Sequence, residues 1–221
     1  MRGKLYLSGG GDENQTYNAD KQIFADVKKI LYIPLAWEGD KSYALCKKWF
    51  ENMISKHKPI SYDMIITGTT DRNLNNYDLI YIGGGNTFKL LKELRASDLS
   101  KKIIDFLNNG GSVYGGSAGA IIWGKHIDQK YRKKIISSST DADKNKVKQS
   151  NTSGFNLVKG YDIQCHFIDE ELNEYIEYSK NKSVKILAIP EESVLEFDGK
   201  NFRVFGTKKV TIIDKKNISK I

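Results

Sequence analysis

The sequence predicts an α/β fold: a mostly parallel sheet with helices on both faces and an antiparallel extension at its C-terminal end. Three observations carry this. Short apolar runs ending in glycine alternate with stretches of helical periodicity. The helical stretches are long enough to serve as crossovers between parallel strands. The C-terminal part, 185–214, reads instead as successive strands with turns at Asp198-Gly199 and Gly206, which suits antiparallel pairing.

In order, KLYLSGG (4–10) predicts a buried strand, Asn18 to Lys28 a short helix, and KILYIPLA (29–36) a second strand. DKSYALCKKWFENMISK (40–56) spaces Tyr43, Cys46, Phe50, Met53 and Ile54 along one helical face. SYDMIIT (61–67) and YDLIYIGGG (77–85) predict two more strands. TFKLLKEL (87–94) and LSKKIIDFLNN (99–109) predict helices, the second stopped by Gly110. GSVYGGSAGA follows as strand, turn and helix start, and GYDIQCHFID carries one further apolar run.

The 221 residues form a single domain, 1–221, without repeats, low-complexity tracts or linkers. Hydrophobic residues at 39% and aromatics at 11% fit a globular chain and exclude disorder. No apolar run reaches the ~18 residues of a bilayer crossing. MRGKLYLSGGG is too short in apolar residues for a secretory signal, so a cytoplasmic protein without membrane contact is expected. Cys46 and Cys165 follow neither metal spacing nor a disulfide framework. The formal charge of +8 comes from lysines scattered through every segment, with small clusters at Lys130–Lys134 and Lys144–Lys148. Without an aromatic-interleaved basic stripe this reads as a solvated surface, and no nucleic-acid partner is expected. A positive field does favour anionic small substrates.

The chemistry-bearing motif is Gly115-Gly116-Ser117-Ala118-Gly119, which satisfies G-x-S-x-G between a strand and a helix start. A strand turning abruptly into a helix strains its corner residue, so small neighbours are needed. The corner side chain then stands at a helix N-terminus, where free N–H groups favour negative charge. A second glycine cluster, Gly83-Gly84-Gly85-Asn86-Thr87, ends another strand. Its N–H groups suit one half of an oxyanion hole, with the Ala118 N–H as the other. It lacks the Lys-Ser/Thr of a phosphate-binding loop. Serine needs a base, and the chain has three histidines. His57 lies at a charged helix end and reads as exposed. His126 is carried away along the helix after the serine. His166, after an apolar run, is the best placed if strand ends converge on one side of a parallel sheet. The supporting carboxylate stays open among Asp128, Asp141, Asp143, Asp162 and Asp169.

With these residues assembled, the chain resembles the peptidase E family of serine peptidases, whose best-known members are aspartyl dipeptidases, with cyanophycinases as more distant relatives. The resemblance rests on YIGGGNTFKLL (81–91), GGSVYGGSAGA (110–120), SGFNLVKGYDIQCHF (153–167) and AIPEESVLEF (188–197), in family order. It implies a fold like the class I glutamine amidotransferases, with serine where those enzymes have cysteine, and no metal or cofactor. It implies Ser117 as nucleophile, His166 as base and Asp143 as acid, with Asp141 kept open. By the same resemblance Gly85 (or Gly84) and Ala118 hold the oxyanion, and Asn86 and Thr87 bind the substrate's polar end. The implied substrates are small peptides with an N-terminal aspartate. The protein itself is expected to be a monomer or small homo-oligomer. The stretch 125–150 departs from the dipeptidase pattern. An α/β-hydrolase esterase shares G-x-S-x-G, but there the histidine usually lies near the C-terminus. A binding protein that kept the fold without activity is the other alternative.

Overall fold

The computed structural model describes residues 1–128 and 144–221. Strands β1 (Lys4–Ser8), β2 (Lys29–Ile33), β3 (Ser61–Met64), β4 (Leu79–Ile82) and β5 (Ser112–Gly116) pair in parallel in the order β3-β2-β4-β5-β1. Helices α1 (Tyr17–Ile23), α2 (Asp40–Ser55), α3 (Thr87–Ala96) and α4 (Leu99–Asn108) are the crossovers. Side chains alternate across the strands with period two. Leu5, Leu7, Leu31, Ile33, Ile80, Ile82 and Val113 enter the core shared with α3 and α4. Tyr6, Ile30, Tyr32, Leu79, Tyr81 and Tyr114 enter the opposite core with Ile23, Cys46, Phe50 and Met53 of α1 and α2. Tyr32 stacks on Phe50 with ring centroids 4.1 Å apart. Both faces are covered, so the strands read as continuous apolar runs.

Several strands are shorter than their apolar runs. β2 stops before Pro34, whose ring cannot donate to a ladder, and β3 stops at Met64. The helix expected over 18–28 spans Tyr17–Ile23.

The C-terminal part divides between two sheets. β8 (Ser193–Phe197) and β9 (Phe202–Gly206) extend the main sheet, β8 pairing antiparallel with β1. β7 (Lys185–Ala188) joins β6 (Tyr161–Gln164) in parallel, and β10 (Thr211–Asp214) and β11 (Asn217–Lys220) complete a four-stranded sheet in the order β11-β10-β7-β6. The antiparallel edge expected from the sequence is therefore β8–β9, while its other strands form a sheet of their own. α6 (Leu172–Lys182), absent from the sequence reading, packs Tyr175 and Tyr178 on this second sheet against Ile186 and Ile213.

The two sheets meet where β1 and β6 end. The His166 N–H donates to Gly9 O at 2.8 Å, just past the C-terminal ends of both strands.

Candidate active site

The corner after β5 is the starting point. Ser117 has φ 47° and ψ −106°, a backbone state that non-glycine residues rarely adopt. It is held there by dense packing. A Cβ on Gly115 would lie 2.2 Å from Gly119 O, and one on Gly119 would lie 2.3 Å from Ile82 O. Both glycines of the motif are thus required by space. The short helix α5 (Ala118–Ile121) begins immediately, and Ser117 O accepts the Ala120 and Ile121 N–H groups at 2.8 and 3.0 Å. The Ala118 N–H leads the helix, where no intrahelical carbonyl can reach it.

The Ser117 Oγ lies 2.9 Å from His166 Nε2. His166 has φ 56°, a second strained residue, positioned by its own N–H bond to Gly9 O. On the far side of the ring, Nδ1 lies 2.7 Å from Glu191 Oε1. A carboxylate only accepts, so Nδ1 carries the hydrogen and Nε2 is left with a lone pair facing the serine hydroxyl. Glu191 Oε2 accepts from Gln15 Nε2 at 2.8 Å, which holds the carboxylate in place. Gly10 lies against this pair. Its φ is +96°, and a Cβ there would fall 2.5 Å from His166 Cε1 and 2.9 Å from Ser117 Cβ. Across the serine, a Cβ on Gly84 would lie 3.3 Å from Ser117 Cβ, so the triglycine after β4 borders Ser117. Among the described residues no group of three His, Cys, Asp or Glu converges to hold a metal ion.

A strained serine at a strand-to-helix bend, bonded to a tautomer-fixed imidazole, has the form of an activated acyl-transfer nucleophile. The profile of Peptidase family S51 matches residues 5–205. The chain belongs to peptidase family S51. It is a serine-type peptidase. Peptidase E of Actinobacillus pleuropneumoniae serotype 5b is 26% identical over 243 residues, covering 98% of this chain and 94% of that protein. Peptidase E of Haemophilus influenzae is 40% identical over 135 residues, covering 58% of this chain and 61% of that one. In fold, the chain is similar to a peptidase from an acI-B1 Actinobacterium, with TM-score 0.69, 20% identity and coverage of 100% and 94%. A putative peptidase E from Listeria monocytogenes EGD-e matches with TM-score 0.65 and 21% identity, covering 94% of this chain and all of that one.

Membership in family S51 sets the α/β-hydrolase reading aside, and His166 arrives by a different route from the one expected. It follows β6 of the second sheet rather than a strand of the parallel sheet. Of the residues singled out in the sequence, Ser117, His166, Ala118 and Gly84 meet at the bend. Gly85, at φ +129°, has its backbone against Ala36 and Trp37. Asn86 is the N-cap of α3: its Oδ1 accepts the Lys89 N–H at 2.8 Å and its Nδ2 donates to Lys144 O at 2.9 Å. Thr87 is buried, 1% exposed, in the first turn of that helix. Asp141 and Asp143 lie outside the described residues.

The other sequence candidates are engaged elsewhere. Asp162 accepts from the His126 N–H at 2.9 Å and from Tyr178 Oη at 2.9 Å, and faces His126 Nδ1 at 3.0 Å. Asp169 pairs with Lys220 at 2.9 Å. His57 is half-buried rather than exposed, stacked on Tyr17 and edge-on to Phe24, and this burial lowers its pKa. Cys46 and Cys165 are free and buried.

Sequence reasoning missed Glu191. Its signal was a polar Pro190-Glu191-Glu192 directly after the apolar run ILAI, inside a segment already matched to the family. β6 and β7 are parallel neighbours, with Gln164 opposite Ala188. The residues that follow each strand therefore emerge side by side, and the Phe167 N–H bond to Ile189 O at 3.2 Å continues the pairing.

Proposed function

We propose that this peptidase hydrolyses small peptides through an acyl-enzyme on Ser117, with His166 as general base and Glu191 as the carboxylate that orients it. The observation that carries the reading is the continuous run Ser117 Oγ, His166 and Glu191, with contacts of 2.9 and 2.7 Å. His166 Nε2 takes the hydroxyl proton as Oγ attacks the scissile carbonyl. The Ala118 N–H and an N–H of Gly84 or Gly85 receive the oxyanion, a preorganised arrangement in which one donor contributes ~3–4 kcal/mol to the transition state. His166 then returns its proton to the leaving amine. Water, deprotonated by the same nitrogen, releases the acyl group. Glu191 keeps its hold on the Nδ1–H and stabilises the imidazolium.

Asp143 or Asp141 is the competing acid, from the family resemblance, and variants separate them. Ser117→Ala and His166→Ala are expected to abolish peptide turnover, and Ser117→Ala to abolish labelling by a fluorophosphonate. Glu191→Gln is expected to lower kcat by about 10⁴-fold, the loss for converting a triad carboxylate to its amide, with Asp143→Asn and Asp141→Asn each changing it less than about tenfold. A full loss in an aspartate variant alongside an active Glu191→Gln would reassign the acid. Dipeptides with N-terminal aspartate are the first substrates to assay, since the resemblance implies them and the chain's net charge of +8 suits an anion.

A further inference from the structure

Helix α2 turns one stripe toward the core and leaves a second one open. Ser42, Leu45, Cys46 and Trp49 stand at i, i+3, i+4 and i+7, so they share a helix face. With Tyr32, Trp37 and Gly84 they line a recess of about 340 Å³. Its rim is costly to leave in water: Trp37 is 44% and Leu45 62% exposed. Trp37 is held at this rim by its N–H bond to Pro34 O at 3.1 Å and by Tyr43 Oη, which donates to its carbonyl at 3.0 Å. None of the seven lining residues carries a charge.

The recess and Ser117 share a wall of glycine. Gly84 is a wall of the recess, and a Cβ on it would be 3.3 Å from Ser117 Cβ. On either side of it, a Cβ on Gly83 would meet Tyr32 at 3.3 Å, and one on Gly85 would meet Trp37 Nε1 at 2.8 Å. The triglycine is thus a backbone-thin partition between an apolar recess and the reacting serine. The volume stands at the small end of ligand clefts, about 300–1,000 Å³, which suits one large side chain.

Resting on the serine-peptidase reading, we infer that this recess is a specificity subsite for a large apolar or aromatic side chain adjacent to the scissile bond. Among the described residues its lining offers an aspartate side chain no cation, and burying an unpaired carboxylate is strongly unfavourable. Aromatic and aliphatic side chains would instead cover Trp37, Leu45 and Trp49 from water.

The test is a dipeptide matrix with Ala, Leu, Phe and Asp varied at the first position, then at the second, assayed on wild type and Leu45→Lys. Because Leu45 is exposed, its replacement is compatible with folding. Phe or Leu is expected to exceed Ala in kcat/KM by at least about tenfold at one of the two positions, within the range an apolar pocket gives. In Leu45→Lys that ratio should collapse and the Asp arm should rise relative to Phe. Labelling rates with diphenyl phosphonates of Phe, Ala and Asp read the same preference without turnover. No advantage of Phe or Leu over Ala at either position, or an advantage that persists in Leu45→Lys, would overturn the subsite. So would a homodimer that Leu45→Lys dissociates without altering the ratio, which would give the face to a second copy. Fluorophosphonate labelling of Ser117 with no apolar preference defeats the subsite alone, whereas absence of any Ser117 labelling defeats the peptidase reading beneath it.

Discussion

At the scale of single residues, the site depends on missing atoms as much as on present ones. Gly10 is the sharpest case, because its φ of +96° and the 2.5 Å approach to His166 Cε1 exclude any side chain. Gly10→Ala is expected to push the imidazole away from Ser117 and to lower kcat by about 100-fold or more, since a displacement of ~1 Å in a catalytic group has that effect. Gly110 provides the control. It has φ +103° and open space where a Cβ would go, so Gly110→Ala should cost stability through backbone strain while leaving kcat near wild type. Steady-state kinetics and thermal melts of the two variants separate these effects. Equal kcat in both would contradict the packing argument.

Elements are joined by a second histidine–carboxylate pair remote in role from the first. Asp162 on β6 has a fully buried side chain and binds His126, beyond α5, and Tyr178 of α6. Burial raises its pKa, and the charge on a protonated His126 and the bond from Tyr178 pull it back down. Removing the carboxylate would take a fully buried acceptor away from the Tyr178 hydroxyl and the His126 N–H. Asp162→Ala is therefore expected to destabilise the fold by about 3 kcal/mol, a fall in Tm of about 6–12 °C for a chain of this size. Asp162→Asn, which keeps one acceptor, should lie between. Differential scanning calorimetry of the three proteins reads this directly, and a Tm for Asp162→Ala within a degree of wild type would refute it.

Across the whole molecule, stability is expected to carry the signature of one core carboxyl. Asp20 of α1 is 2% exposed, between Thr16 Oγ1 at 2.7 Å and Tyr114 Oη at 2.8 Å. Burial pushes it up to about 6, outweighing those two hydrogen bonds. The folded state then holds this proton more tightly than the unfolded chain. The resulting stabilisation is complete below the unfolded value of 3.8 and is lost as pH rises through about 6. The difference is on the order of 3 kcal/mol. Urea unfolding of wild type and Asp20→Asn between pH 4 and 7 checks it: wild type should lose ground to the variant as pH rises. Parallel profiles would show that the carboxyl contributes nothing to the slope.

Local pattern determined much of this protein. The alternation of apolar runs and helical faces specified the parallel sheet, because period and burial are properties of neighbouring residues. Gly115 to Gly119 declared the bend at Ser117 for the same reason: the clash that demands glycine lies largely within the motif and the adjacent strand. Tertiary structure decided the remainder. That β6 and β7 leave the main sheet, that His166 reaches Ser117 from there, and that Glu191 faces the imidazole all depend on strand pairing between segments far apart in the chain. Nothing within either segment encodes its partner. The recess beside Gly84 is likewise made by α2 and the Trp37 turn meeting the triglycine, a juxtaposition that exists only once the sheet has brought their strands together.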